Sequence, residues 1–149
     1  MELNTIPGHM IRRLHQMSTH VFQTRMREAG VDLTPVQFAA LHAISVKPGI
    51  DQATIAATIA YDRATIGGVI DRLEAKGLVE RKVSRRDRRA REVGLSEAGR
   101  ALLDRVRPIV DDLQGDILSG LDGDEQAMLL RLCRKALGIG GVADCSDIL

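Results

Sequence analysis

A chain of 149 residues fits one domain of the usual roughly 100–200 residues, and 44% hydrophobic with 28% charged residues excludes a disordered or fibrous protein. A formal charge of +1 leaves the class of partner open, while an aromatic content of only 2% requires an aliphatic core. No apolar run approaches the roughly 20 residues that cross a bilayer, and the opening MELNTIPGHM lacks the basic and apolar segments of a signal peptide, so the cytoplasm is the expected location.

Over residues 7–29, Met10, Ile11, Leu14, Met17, Val21 and Phe22 recur at helical spacing and Gly30 follows as a stop, predicting a long amphipathic first helix. Thr34-Pro35-Val36-Gln37 is a capping box with proline at the first helical position, and it opens a second helix through Phe38, Leu41 and Ile44 that ends at Lys47-Pro48-Gly49. Asp51 is the expected N-cap of a short third helix through Ile55 and Ala56 to about Ile59. Asp62 is the expected cap of a fourth, in which Ile66, Val69, Ile70 and Leu73 follow the i, i+3, i+4, i+7 rule and Gly77 marks the end. Two helices joined by a short turn result.

Two strand-like segments, residues 78–83 and 92–95, come next and predict a hairpin. Ser96 is a plausible N-cap for a long fifth helix with Leu102, Leu103, Val106, Val110, Leu113 and Ile117 on one stripe, in which Pro108 removes a backbone donor and predicts a kink. Asp122, with Glu125 three residues on, opens a last helix through Leu129, Leu132 and Leu137. Gly138, Gly140 and Gly141 begin a loose tail. The first, fifth and last helices carry more apolar surface than a small head can cover, which calls for a partner; a monomeric helical bundle is the alternative.

The basic residues are unevenly placed. RKVSRRDRRAR, residues 81–91, holds seven of the 21 Lys and Arg residues and one acid, Asp87. A solvated loop is one reading. The other is a phosphate-binding projection on the arms and tip of the hairpin, because each cation that neutralises a phosphate releases condensed counterions. In the fourth helix the face opposite the apolar stripe carries Tyr61, Ala64, Thr65, Gly68, Asp71, Arg72 and Ala75, which is unusually slim. Gly67 and Gly68 each cost roughly 1 kcal/mol relative to alanine there, and two kinds of close approach would compensate: packing on a neighbouring helix, or insertion into a DNA major groove with Thr65 and Arg72 reaching bases or phosphates.

Other chemistry has little support. The four histidines and scattered acids form no HExxH, GxSxG or phosphate-cradling glycine loop, so no catalytic, metal or cofactor site is expected. Cys133 and Cys145 are too few for a disulfide framework, and Cys133 among Leu129, Leu130, Leu132 and Leu137 reads as a buried, inert thiol.

Residues 34–99 resemble the MarR-type regulators, with extension towards both ends. The likeness rests on the helix pair DQATIAATIAYDRATIGGVIDRLEAKG, the strand LVERKV and the wing DRRAREVGLSEAG. Asp87 and Arg89 match the family's Asp-x-Arg, and Leu95 to Gly99 its Leu-Thr-x-x-Gly, with Ser96 in place of threonine. The resemblance implies a winged helix-turn-helix, mainly α with a small β-hairpin wing (α+β), in one MarR-like domain over residues 1–149. Residues 34–99 would read DNA, and the helices of residues 1–30 and 100–149 would form the dimerisation domain of a homodimer. Helix 63–76 would enter the major groove and Arg89 the adjacent minor groove, braced by Asp87.

The expected contacts with double-stranded DNA are Arg63, Ala64, Thr65, Gly67, Gly68 and Arg72 from the helix and Arg85, Arg86, Asp87, Arg88, Arg89 and Arg91 from the wing. The glycine pair departs from the larger polar residues of many relatives, so specificity is expected from Arg63, Thr65, the wing and DNA shape. A two-fold dimer would read half-sites about 10 base pairs apart and would be a repressor by default. Many such regulators release DNA when a small aromatic acid binds where the dimerisation helices meet the head. His9, Arg12, Arg13, His15 and His42 are the candidates here, an arginine pairing with the carboxylate; an ordinary surface role is the alternative for each. Two further readings stand beside this one: a winged-helix adaptor that binds protein, and a thiol-based oxidant sensor, for which the first helix lacks a cysteine.

Overall fold

The computed structural model describes residues 1–140; Gly141 and Cys145 lie outside the described residues. After a short 3-10 turn, Leu3–Thr5, the elements are α1 (Pro7–Glu28), α2 (Pro35–Val46), β1 (Ile50–Asp51), α3 (Gln52–Thr58), α4 (Ile66–Ala75), β2 (Val79–Val83), β3 (Arg91–Leu95), α5 (Glu97–Ile117) and α6 (Gly123–Ala136). The mainly helical architecture with a small hairpin is the one the sequence leads one to expect. Two compact units divide between Leu113 and Gln114, inside α5.

Local chemistry sets most helix starts. Thr34 Oγ1 accepts the Gln37 amide at 3.2 Å while Gln37 Oε1 accepts the Thr34 amide at 3.2 Å, and Asp122 and Glu125 exchange the same pair of bonds at 2.9 and 3.0 Å. Asp51 Oδ1 accepts the Thr54 amide at 2.7 Å and starts α3. Gln37 has a second task. Its Oε1 also accepts from Lys76 Nζ at 3.1 Å, and that ammonium donates to the Asp32 carbonyl at 2.7 Å, so the start of α2 is tied to the end of α4.

In the first unit, three antiparallel strands lie in the order β1-β3-β2. Ile50 pairs with Val93 across one edge, and Val79 through Val83 pair with Leu95 back through Arg91 across the other. Leu41 and Ile44 of α2, Ile55 of α3, Ile66, Ile70 and Leu73 of α4 and Val93 of β3 are all buried in the core. Phe22 and Met26 of α1 and Leu103, Val106 and Leu113 of α5 are buried as well. Polar bonds hold these helices: Arg25 pairs with Asp112, Arg105 donates to the Ala29 carbonyl, and Arg107 Nη2 donates to Ser45 Oγ at 2.7 Å. In the second unit, Gln126 Nε2 donates to the carbonyls of Leu118 and Leu121, both at 3.1 Å, and closes the turn before α6.

Several expectations need correction. The fourth helix begins at Ile66, not beside Asp62, because Asp62 Oδ1 takes the amide two residues on, Ala64, at 3.0 Å and builds a turn over residues 63–65. A third strand, β1, was not expected; two residues are too few to show alternation, and one of them is the α3 cap. The expected surplus of apolar surface on the terminal helices is present in the single chain: in α1, Met10, Ile11, Leu14 and Met17 are exposed, and no residue of α6 is buried. Cys133 is therefore exposed, not the buried thiol that its leucine neighbours suggest.

Gly99 occupies the tightest place in the fold. A Cβ there would stand 1.9 Å from the Leu78 carbonyl oxygen and 2.9 Å from the carbonyl carbon. That carbonyl accepts the Ser96 amide at 3.0 Å, while Ser96 Oγ donates to the Gly77 carbonyl and accepts the Gly99 amide at 3.0 Å. Backbone cannot yield as a flexible side chain can. Gly99→Ala is expected to destabilise the fold by at least about 2 kcal/mol, at the upper end for overpacking, read as a lower urea midpoint at unchanged slope.

Candidate nucleic-acid interface

The helix pair meets in a strained turn. Ile59 caps α3, Ala60 takes a left-handed conformation with φ 54, and the Tyr61 amide returns to the Ala56 carbonyl at 2.8 Å. A non-glycine residue there costs roughly 1 kcal/mol or more, which the buried residues on either side, Ile55 and Ile66, offset. Arg63, Ala64 and Thr65 occupy the exposed turn that leads into α4, and Gly68 and Arg72 lie exposed on the helix. The glycine pair splits by role. A Cβ at Gly67 would come 3.3 Å from Gln52 Nε2, so this residue packs against α3, whereas a Cβ at Gly68 would meet nothing within 4 Å. Only Gly68 keeps the open, slim face that a groove requires.

The wing tip is built from backbone amides turned inward. Ser84 is buried, its amide donates to the Ala90 carbonyl at 3.0 Å, and its Oγ accepts the amides of Arg86 and Asp87 at 3.2 and 3.3 Å. Asp87 Oδ1 accepts the Arg89 amide at 3.0 Å. The expected brace thus acts on the backbone of Arg89 and leaves its guanidinium to the solvent. Arg85, Arg86, Arg88, Arg89 and Arg91 are all exposed.

Arg81 behaves otherwise. Its Nε donates to Glu74 Oε2 at 3.3 Å, its Nη1 to Gln52 Oε1 at 3.4 Å, and its Nη2 to Glu74 Oε1 at 3.2 Å and to Asp71. The Arg81 side chain is only 17% exposed. The bonds from Glu74 and Asp71 raise its pKa, and the Arg81 guanidinium in turn lowers that of the Glu74 carboxyl. Nothing local marks this cation off from its basic neighbours; only pairing with α4 does.

A cleft of about 810 Å³ opens between the start of α3, the turn before α4 and the wing, with Arg63, Arg89 and Arg91 and the carboxylates of Asp51 and Asp87 among its walls. Helix-turn and wing residues that lie far apart in sequence therefore share one concave, cation-rich surface. Among the described residues, no cluster of His, Cys, Asp and Glu could hold a metal ion.

The expected effector residues are brought together only in part. On α1, Arg12 Nη2 lies 3.3 Å from His9 Nδ1, Arg13 Nη1 donates to Asn4 Oδ1 at 3.4 Å, and His15 is exposed. His42 belongs to a strip on α2. Its ring stacks on Phe38 with centroids 6.2 Å apart, and Phe38 tilts against Phe22 at 6.3 Å. Ser45, one turn further, donates to the His42 carbonyl at 2.7 Å and accepts from Arg107, whose Nε is buried without a hydrogen-bond partner. Arg107 is not among the expected effector residues; its bond to Ser45 joins helices 62 residues apart in sequence, which no local pattern signals.

The model of the MarR family matches residues 31–90. Over 137 residues the chain is 34% identical to the transcriptional regulator HosA of Escherichia coli, covering 92% of this chain and 98% of that protein. It is 34% identical over 130 residues to the transcriptional repressor NicR of Pseudomonas putida, covering 87% and 81%. Among solved structures, it superposes with a TM-score of 0.86 at 28% identity on BpsR of Bordetella bronchiseptica, whose DNA binding is regulated by 6-hydroxynicotinic acid, over 94% of this chain and 99% of that one.

The Asp51 cap carries a pH dependence. The Thr54 backbone bond, with its side-chain bond next, holds the carboxyl below its ordinary 3.8, and Lys47 and Arg63 act in the same direction. A depressed carboxyl stabilises the fold above its unfolded pKa, and that contribution is lost as pH falls through the folded value. Asp51→Ala is expected to cost about 1 kcal/mol at neutral pH. In denaturant titrations at several pH values, the gap between variant and wild type should close below about pH 4.

Proposed function

The chain belongs to the MarR family of transcriptional regulators, and we propose that it represses transcription as a homodimer on a pseudo-palindromic DNA site and is released by a small aromatic acid. The observation that carries the DNA reading is the shared cleft, where Arg63 from the helix turn stands with Arg89 and Arg91 from the wing. In this reading Thr65, Gly68 and Arg72 address the major groove, Gly67 sits behind them, and Arg89 enters the adjacent minor groove with Arg85, Arg86, Arg88 and Arg91 on phosphates. Ala64 and Asp87 hold backbone in place rather than reading bases. The named relatives are regulators, and we assign this chain no catalytic role. Among the described residues no helix is long and apolar enough to cross a membrane, and we place the protein in the cytoplasm.

A second copy is the partner we propose for the exposed Met10, Ile11, Leu14 and Met17 of α1 and Met128, Leu130, Leu132 and Leu137 near the C-terminal end. A two-fold axis would set the two heads about one helical turn, roughly 10 base pairs, apart.

For the effector, the known relative BpsR supplies a probe in 6-hydroxynicotinic acid. A ring of this kind fits against Phe38 and His42, and its carboxylate needs an arginine: Arg12 or Arg13 beside His9 and His15 on α1, or Arg107 above Ser45.

Two measurements test the proposal. With a duplex recovered from a random pool, affinity should fall steeply with salt; Arg89→Ala should weaken it by about tenfold and lower the salt slope by about 1. A protein-binding adaptor would retain no duplex even at low ionic strength. In a release titration with 6-hydroxynicotinic acid, at least one of Arg12→Ala, Arg13→Ala and Arg107→Ala should raise the half-effect concentration about tenfold at unchanged DNA affinity, since a lost charge-assisted bond costs roughly 1.5 kcal/mol or more. Equal dose responses in wild type and all three would remove these arginines from the effector site.

A further inference from the structure

We infer that Arg81 is a positioning residue for DNA binding: by bridging Gln52 of α3 and Asp71 and Glu74 of α4 from the strand that leads into the wing, it fixes the wing against the reading helix and keeps two carboxylates from facing phosphate. This rests on the DNA-binding reading above.

The geometry singles this residue out. The wing joins the head through β2 and β3, and a two-stranded ribbon of five residues per strand is a weak lever by itself. Arg89 near its tip lies eight positions from Arg81, so a small rotation at the base of the ribbon displaces the tip by ångströms, while entry into a narrow minor groove tolerates little displacement. A planar guanidinium with donors on three nitrogens can hold three acceptor residues on two helices at once, which a single ammonium cannot do with the same orientation. The charge balance points the same way. Asp71 and Glu74 are 63% and 44% exposed on the helix that carries Gly68 and Arg72, and without Arg81 their two negative charges would be left uncompensated on that helix.

The test is a double-mutant cycle on the full-length protein, with the duplex that the wild type recovers from a random pool and thermal melting measured alongside. In the wild-type background Arg89→Ala is expected to weaken binding about tenfold; in the Arg81→Gln background it should cost less than about twofold, because an unfixed wing no longer delivers Arg89 to its groove. Arg81→Lys should behave like Arg81→Gln. Should Arg81→Gln melt too low to assay, the pair Asp71→Asn and Glu74→Gln opens the same bridge from its exposed side and should likewise abolish the effect of Arg89→Ala. Equal losses from Arg89→Ala in all backgrounds, or wild-type affinity in Arg81→Lys, would overturn the inference and leave Arg81 as one more cation. Recovery of no duplex at all would overturn the DNA reading itself, and this inference with it.

Discussion

Both arms of the hairpin meet at the Leu78 carbonyl, which accepts the Ser96 amide at 3.0 Å and leaves no room for a side chain on Gly99. The consequences run outward in both directions. Towards the wing, this bond sets where β2 begins and β3 ends, and with it the register that pairs Val79 with Leu95 and Val83 with Arg91. Towards α5, it anchors the first turn of a 21-residue helix whose next turns bury Leu103 and Val106. Gly77, in the left-handed conformation with φ +73, turns the chain out of α4 just before this point, and Ser96 bonds its carbonyl. The reading helix, the wing and the long fifth helix are therefore indexed to one another at a single crossing of backbone.

Charge in this protein works by allocation rather than by excess. With a formal charge of +1 the chain has no strong overall attraction for a polyanion. Within the basic run, Arg81 is drawn inward by Asp71 and Glu74, and the remaining arginines are left exposed around a tip whose amides are already satisfied by Ser84 and Asp87. The inward arginine acts as a brace because its guanidinium is largely withdrawn from solvent and meets both oxygens of Glu74 in fork geometry. The exposed arginines keep their donors turned to solvent.

The apolar surface is allocated in the same manner. The head builds its core from aliphatic residues of α2, α3, α4 and the sheet. In α1, Met10, Ile11, Leu14 and Met17 stay exposed, and α6 buries none of its own residues. Scattered apolar side chains on a surface are ordinary, but contiguous helical stripes of them signal a partner.

What the sequence by itself determined are the features written within four residues of one another. The capping boxes at Thr34 and Asp122, the Asp51 cap, the glycines that end α1 and α4 and the i, i+3, i+4 stripe of α4 depend on bonds or spacings that a helix makes with itself, so they are legible without any knowledge of what lies opposite. The family motif was legible for the same reason, as a string. Only the tertiary structure decided which of seven neighbouring cations would be withdrawn, because Arg81 is chosen by carboxylates seven and ten residues away on another element. It also decided that Gly67 packs while Gly68 is open, that Ile50 and Asp51 add a third strand, that Cys133 is exposed, and that Asp62 makes a turn before α4 begins. Apart from the Asp62 turn, a local bond to the Ala64 amide that competes with the helix cap, each of these is fixed by what one segment meets in another, and the linear chain carries no record of that meeting.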